Sequence, residues 1–147
     1  MIAVKPEDRQ TWMGLLARAV PASVCLLLPE LPSHGLLRGP EVGAVMVRGR
    51  IGGTGQPFNL GEMTVTRCTV RLSCGTVGHD HVQRRDKPHA IRVAVLDALL
   101  QTERAEAMKL QVLVPLAEAE ATARQLRASK AAATKVEFFT LVRGEDK

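Results

Sequence analysis

Aromatic side chains are scarce in this chain: one Trp, three Phe and no Tyr among 147 residues. Binders of single-stranded nucleic acid stack bases on aromatic faces, and Trp12, Phe58, Phe138 and Phe139 are too few for that role. The pI of about 9.6 alone favours a nucleic-acid-binding module, and no helix-turn-helix pattern supports it. No nucleic-acid partner is expected. Cysteine is equally thin. Cys25, Cys68 and Cys74 are odd in number and irregular in spacing, so they announce no disulfide framework and suit a reducing compartment. Long apolar runs are missing too. The most hydrophobic stretch, residues 20–31, is broken by Pro21 and Pro29 and falls short of the ~20 residues that cross a bilayer. Residues 1–8 lack the basic start and apolar centre of a signal peptide. These features predict a cytoplasmic protein with no membrane partner.

What is present describes an ordinary globular chain. Apolar residues make up 46% and charged residues 24%, typical of soluble domains. A chain of this length fits one domain, residues 1–147, and buries roughly 68–70% of its unfolded surface without a disulfide or metal staple. Residues 41–92 carry eight Arg/Lys against four Asp/Glu, hence +4 of the formal +5. A basic surface so localised attracts phosphates, phosphonates or an acidic protein; the plainer reading is a solvated basic face.

Apolar periodicity predicts the elements. Trp12, Leu15, Leu16 and Ala19 share one face of a helix over 7–19, which Pro21 ends. Residues 22–31 read as a second short helix and 32–40 as a loop. The period then becomes two. In a strand over 41–51, Val45, Val47 and Ile51 oppose Met46, Arg48 and Arg50. Gly52-Gly-Thr-Gly55 turns the chain into a strand over 62–72, where Cys68, Val70 and Leu72 oppose Arg67, Thr69 and Arg71. Gly75 permits a tight reversal into a third strand over 76–83, and such glycine turns join antiparallel neighbours. Asp86 caps a helix running to about Met108, with Pro88 in its first turn. Residues 110–114 read as a short strand, 118–133 as an alanine-rich helix with an i,i+4 Glu120–Arg124 pair, and 135–142 as a last strand. The predicted class is α+β: an antiparallel sheet with N-terminal helices and two longer helices packed on it.

No complete catalytic constellation is visible. His79 and His81 point the same way from one strand, and Cys68 and Cys74 could join them around zinc, but no C-x-x-C or H-E-x-x-H spacing supports a metal. There is no G-x-S-x-G and no paired Cys/His nucleophile. Catalytic and metal residues are therefore expected to be absent, with no cofactor held by this chain. The candidate contacts for substrate or partner are cationic. Arg48 and Arg50 flank Gly52, Gly53, Thr54 and Gly55, whose amides could face phosphate oxygens. That segment lacks the G-K-[ST] ending and the following helix of a phosphate loop, so a sharp hairpin is the plainer reading. Arg67 extends the theme. Arg85, Lys87 and His89 put cations at a helix N-terminus, where the dipole already favours an anion. A stand-alone anion- or nucleotide-binding domain is the alternative these residues leave open.

The same residues carry a family resemblance. Trp12-Met13, Arg50-Ile-Gly-Gly-Thr-Gly55, Gly61 with Thr64-Val-Thr-Arg67, Val70-Arg-Leu72, Gly75-Thr-Val-Gly78, Arg85-Asp-Lys87 with His89, Asp97-Ala-Leu99 and Phe138-Phe-Thr-Leu-Val-Arg-Gly144 follow in this order. Together, over residues 9–144, they resemble the PhnG family of phosphonate-metabolism proteins. The resemblance implies a non-redox subunit of the bacterial carbon–phosphorus lyase core, with the H, I and J subunits as partners and the closest functional tie to the large I subunit. It implies ATP and an alkylphosphonate as substrates of that complex: the phosphonate displaces adenine, leaving a ribose 1-alkylphosphonate 5-triphosphate. It assigns the nucleosidase chemistry to the I subunit and no catalytic residue to this chain.

Overall fold

The computed structural model describes residues 6–135. Helix α1, Pro6–Arg18, and helix α2, Pro21–Leu27, meet at Pro21, which lies in the first turn of α2. Three strands follow: β1, His34–Arg50; β2, Pro57–Leu72; and β3, Val77–Gln83. They form one antiparallel sheet in the order β1-β2-β3. Helix α3, Lys87–Leu99, is followed by a short α4, Ala105–Met108, a π-helical segment, Lys109–Leu113, and α5, Val114–Ala133. The α+β class is observed.

The core lies between the sheet and the helices. Thr66, Cys68, Val70 and Leu72 of β2 and Gly78, Asp80 and Val82 of β3 are buried, and in each strand they alternate with more exposed residues. Alternation puts them on one sheet face, and α3 covers it. Helix α3 is buried almost all round: Ala90 and every residue from Val93 to Leu99 are inaccessible. Trp12 and Leu16 of α1, Val24 of α2, and Met108, Val112 and Leu116 complete the cluster. The last carbonyls of α2, which have no helical partner, accept from distant side chains: Leu28 O from Arg92 Nε at 2.9 Å and Leu27 O from Gln111 Nε2 at 2.8 Å.

Helix α3 reaches the sheet through glycine. A Cβ on Gly78 would stand 2.0 Å from Ala94 O and 2.8 Å from Ala98 Cβ, so only hydrogen fits. At the opposite end of α3, Asp86 accepts from His89 N at 2.9 Å, with a proline in the first turn, as predicted.

Three expectations are corrected. Residues 32–40 are not all loop: β1 begins at His34. Gly39 and Pro40 are accommodated because β1 is a sheet edge and its register shifts between Arg38 and Glu41, a bulge that spares proline a ladder bond. The helix opened by Asp86 stops at Leu99 rather than near Met108. Residues 110–114 are helical rather than extended. Met108, Val112 and Leu116 are buried at i,i+4 spacing, and this helical stripe outweighs the alternation of Leu110, Val112 and Val114. The π widening sits just before Pro115, whose ring would clash with the carbonyl four residues earlier. The strand expected over 135–142 lies, but for Lys135, outside the described residues.

Two parts of the chain leave the core. No side chain between Pro29 and Thr64 is buried, so the outer β1–β2 ribbon stands clear of the helices. In α5 only Leu116 is buried. That helix is tied back to α1 by Glu120, which accepts from Arg18 Nε at 2.7 Å; the predicted Glu120–Arg124 pair is longer, at 4.0 Å.

Candidate functional site

The ribbon's tip carries the first group of sequence-flagged residues. Arg48 pairs with Asn59 and Arg50 with Pro57, and a single 3-10 turn at Ile51–Gly53 reverses the chain. The turn needs its glycines, because Gly52 and Gly53 have φ of 59° and 84°. Its amides are partly spent. Ile51 N donates to Gln56 O, and Gly55 N and Thr54 N both donate to Ile51 O. Gly52 and Gly53 offer the remaining amides, and Arg50 Nη1 donates to Gly55 O at 3.2 Å. The tip is a tied hairpin end with two exposed guanidinium groups, rather than an open phosphate cradle.

The second group lies at the ribbon's base. Arg84, at φ 79°, turns the chain out of β3, its N–H donating to Thr64 O at 2.9 Å and its carbonyl accepting from Thr66 Oγ1 at 2.7 Å. This fixes the start of α3, with Arg85 and Lys87 exposed, beside the Ala44–Thr64 pair. Arg50 is six residues farther along β1, about 20 Å in extended chain. The tip arginines and the helix-start cations therefore form two centres, not one pocket. His89 is only 3% exposed, both ring nitrogens lack a hydrogen-bond partner, and burial lowers its pKa. It faces inward as a neutral imidazole.

Arg67 lies on the sheet face away from the helices, across from Glu41 and His81. Arg71, His79 and His81 are exposed on the same face, and Thr69 Oγ1 lies 3.1 Å from His79 Nδ1. Cys68 is on the opposite, core-facing side, so it cannot join His79 and His81 around a metal, and the described residues contain no cluster of three metal-ligating side chains. A concavity of about 640 Å³ opens between the β2–β3 turn and the chain after α3, lined by Pro32, Leu72, Cys74, Thr76, Thr102 and Arg104. None of the flagged cations reaches it.

The strongest polar network is interior. The Asp97 carboxylate accepts from Arg9 Nε at 3.2 Å and Nη2 at 2.6 Å, Trp12 Nε1 at 2.9 Å, His79 N at 2.9 Å and Gln101 Nε2 at 3.3 Å. It binds α1, β3 and α3 into one body. Asp80 is the opposite case. It is 5% exposed, its carboxylate oxygens make no well-aligned hydrogen bond among the described residues, and desolvation, only partly offset by the nearby Cys68 and Val82 amides, pushes its pKa up to about 7. Cys68, its cross-strand neighbour, is pushed up to about 11 by burial and by Asp80, and its thiol donates to Arg38 O. Among the described residues no activated nucleophile is paired with a general base.

A profile of the family described as "Phosphonate metabolism protein PhnG" matches residues 7–144. The chain belongs to the PhnG family. It is 47% identical over 156 aligned positions to the alpha-D-ribose 1-methylphosphonate 5-triphosphate synthase subunit PhnG of Rhizobium meliloti (strain 1021), covering 99% of each chain. Within this PhnG-family chain, several of the motifs that carried the resemblance are structural. Trp12 and Asp97 meet in one hydrogen bond, Gly78 admits α3, and Gly75, at φ 90°, closes the β2–β3 turn. The unpartnered Asp80 was missed as a buried acid; its only trace in the sequence was that it points away from His79 and His81.

Proposed function

We propose that this chain is a subunit of the carbon–phosphorus lyase core, needed for transfer of an alkylphosphonate to ribose C1 of ATP with release of adenine, in the breakdown of organic phosphonates. The end-to-end identity with a named synthase subunit carries this reading. The geometry supports a dependent rather than self-sufficient role: among the described residues the candidate cations stand beside no nucleophile paired with a general base, so they can hold an anion or a partner but not by themselves break a glycosidic bond. The H, I and J subunits are its partners, with the large I subunit supplying the reactive groups. ATP and the alkylphosphonate are substrates of the assembly, the chain holds no cofactor of its own, and it works in the cytoplasm.

Co-expression with the I subunit followed by size exclusion tests this. The two are expected to elute together, and the isolated chain to leave ATP and methylphosphonate unchanged. Separate elution of two folded proteins, or turnover by the purified chain alone, would overturn it. Calorimetry with ATP addresses the alternative of a stand-alone nucleotide binder. Little heat is expected, and tight binding by the isolated chain would favour that alternative.

A further inference from the structure

The outer half of the β1–β2 ribbon has two unlike faces. On one, Val45 and Met63 pair beside Val47 and Gly61, and the Phe58 ring lies over Gly49, 3.4 Å from where a Cβ there would stand. No polar side chain interrupts that face between Gly43 and Phe58. The other face carries Met46 with Glu62 opposite it, then Arg48 and Arg50, so the charged residues from Val42 to Met63 are two arginines near the tip and one acid nearer the base. Met46, Ile51 and Leu60 stand 53%, 64% and 66% exposed. A two-stranded ribbon alone is marginal in water, and apolar surface at this density marks a place another protein covers. The outer edge of β1 adds a row of backbone groups that no strand among the described residues pairs.

We propose that residues 43–63 form a docking arm that inserts into an apolar groove, rimmed by carboxylates, on another subunit of the assembly. The proposal rests on the subunit reading above and adds to it the surface and the chemistry of what receives it. The groove walls cover Val45, Val47, Phe58 and Met63, and acidic side chains at the rim answer Arg48 and Arg50, which outnumber the arm's one acid, Glu62, at its base. A second copy of this chain is a poor occupant: a two-fold contact through both faces would set the arginines of one copy against those of the other. Arg85 and Lys87, at the ribbon's base, stay outside the groove and free for a separate anion.

Two variants test this, each confined to side chains that the core does not use: Val45→Asp with Val47→Asp, and Arg48→Glu with Arg50→Glu. Each is made in the tagged full-length chain co-expressed with the H, I and J subunits, and the fold is checked by thermal melting of the purified chain. Both should melt like the wild type while recovering roughly tenfold less of the companion subunits, the loss expected when a charge enters a desolvated contact. Wild-type recovery by both variants overturns the arm and leaves the subunit reading standing. Failure of the wild-type chain itself to recover any companion removes the subunit reading, and the arm with it. A wild-type chain that is dimeric on its own, and monomeric after the aspartate changes, assigns the arm to self-association and overturns the proposal as stated.

Discussion

The indole N–H of Trp12 donates to Asp97 Oδ1 at 2.9 Å, across 85 residues of sequence, while Arg9 grips the same carboxylate with two N–H groups. Both residues are buried. Without Asp97, the Trp12 indole and the His79 amide would have no acceptor inside the fold. Asp97→Ala is expected to cost about 2–4 kcal/mol of unfolding free energy, because a buried donor left unmade forfeits its full desolvation. Urea denaturation measures it, and a loss under about 0.5 kcal/mol, the level of an ordinary surface change, would contradict the role.

Gly78 makes the second prediction. Its absent side chain is where α3 lies, with Ala94 O only 2.0 Å from the position a Cβ would take. Gly78→Val must push the helix off the sheet, and should destabilise by roughly 3 kcal/mol or more, or prevent folding. Gly61→Val, at an exposed ribbon position with nothing within 4 Å of its Cβ, is the control and should melt near the wild type.

Asp80 sets a pH dependence. Its pKa rises from 3.8 to about 7 on folding because burial disfavours the anion. Between those values the folded chain keeps a proton that the unfolded chain has released. Its contribution to stability therefore falls as pH rises from about 4 to about 7 and is level above that. Asp80→Asn removes the titrating group, so the variant should gain on the order of 2–4 kcal/mol relative to wild type at pH 8 and little at pH 4. Denaturation at both pH values gives the difference, and equal gains at the two would show that the carboxylate is not the cause.

The ribbon should be dispensable for folding. Replacing residues 46–62 by Asn-Gly, a turn that closes the Val45–Met63 pair, removes no buried side chain. The shortened chain should keep its unfolding free energy within about 1 kcal/mol, measured by the same denaturation.

Arg50 and Arg85 are both exposed and stand in the two separate cationic centres. Arg50→Ala combined with Arg85→Ala should leave melting unchanged and impair growth on a phosphonate as sole phosphorus source. Wild-type growth of a strain carrying both changes would refute it.

The sequence displayed the elements whose signals are local. Alternation around Cys68, Val70 and Leu72 marked a half-buried strand, Asp86 and Pro88 marked a helix start, and the glycines at 52, 53 and 75 marked reversals. It misread segments where tertiary contact overrides local pattern. Glycine and proline in residues 32–40 look like a loop, yet an edge strand with a bulge tolerates them. Residues 110–114 alternate like a strand, yet Val112 is buried with Met108 and Leu116 in a helical stripe. For the candidate site, the cations were visible and their arrangement was not. That Arg50 and Arg85 lie far apart follows from the length of the ribbon, and that His89 turns inward follows from how α3 packs. Asp80 gave no signal beyond its place opposite His79 and His81, because burial of a single acid depends on what covers it.

The close seating of Ala94 and Ala98 on Gly78 has a further consequence. With one hydrogen atom as the spacer, α3 lies too close to the sheet at this point for any side chain to come between them. Lys87 at the head of that helix and Arg67 on the far side of the same strands are thus gauged against each other as if by a fixed calliper.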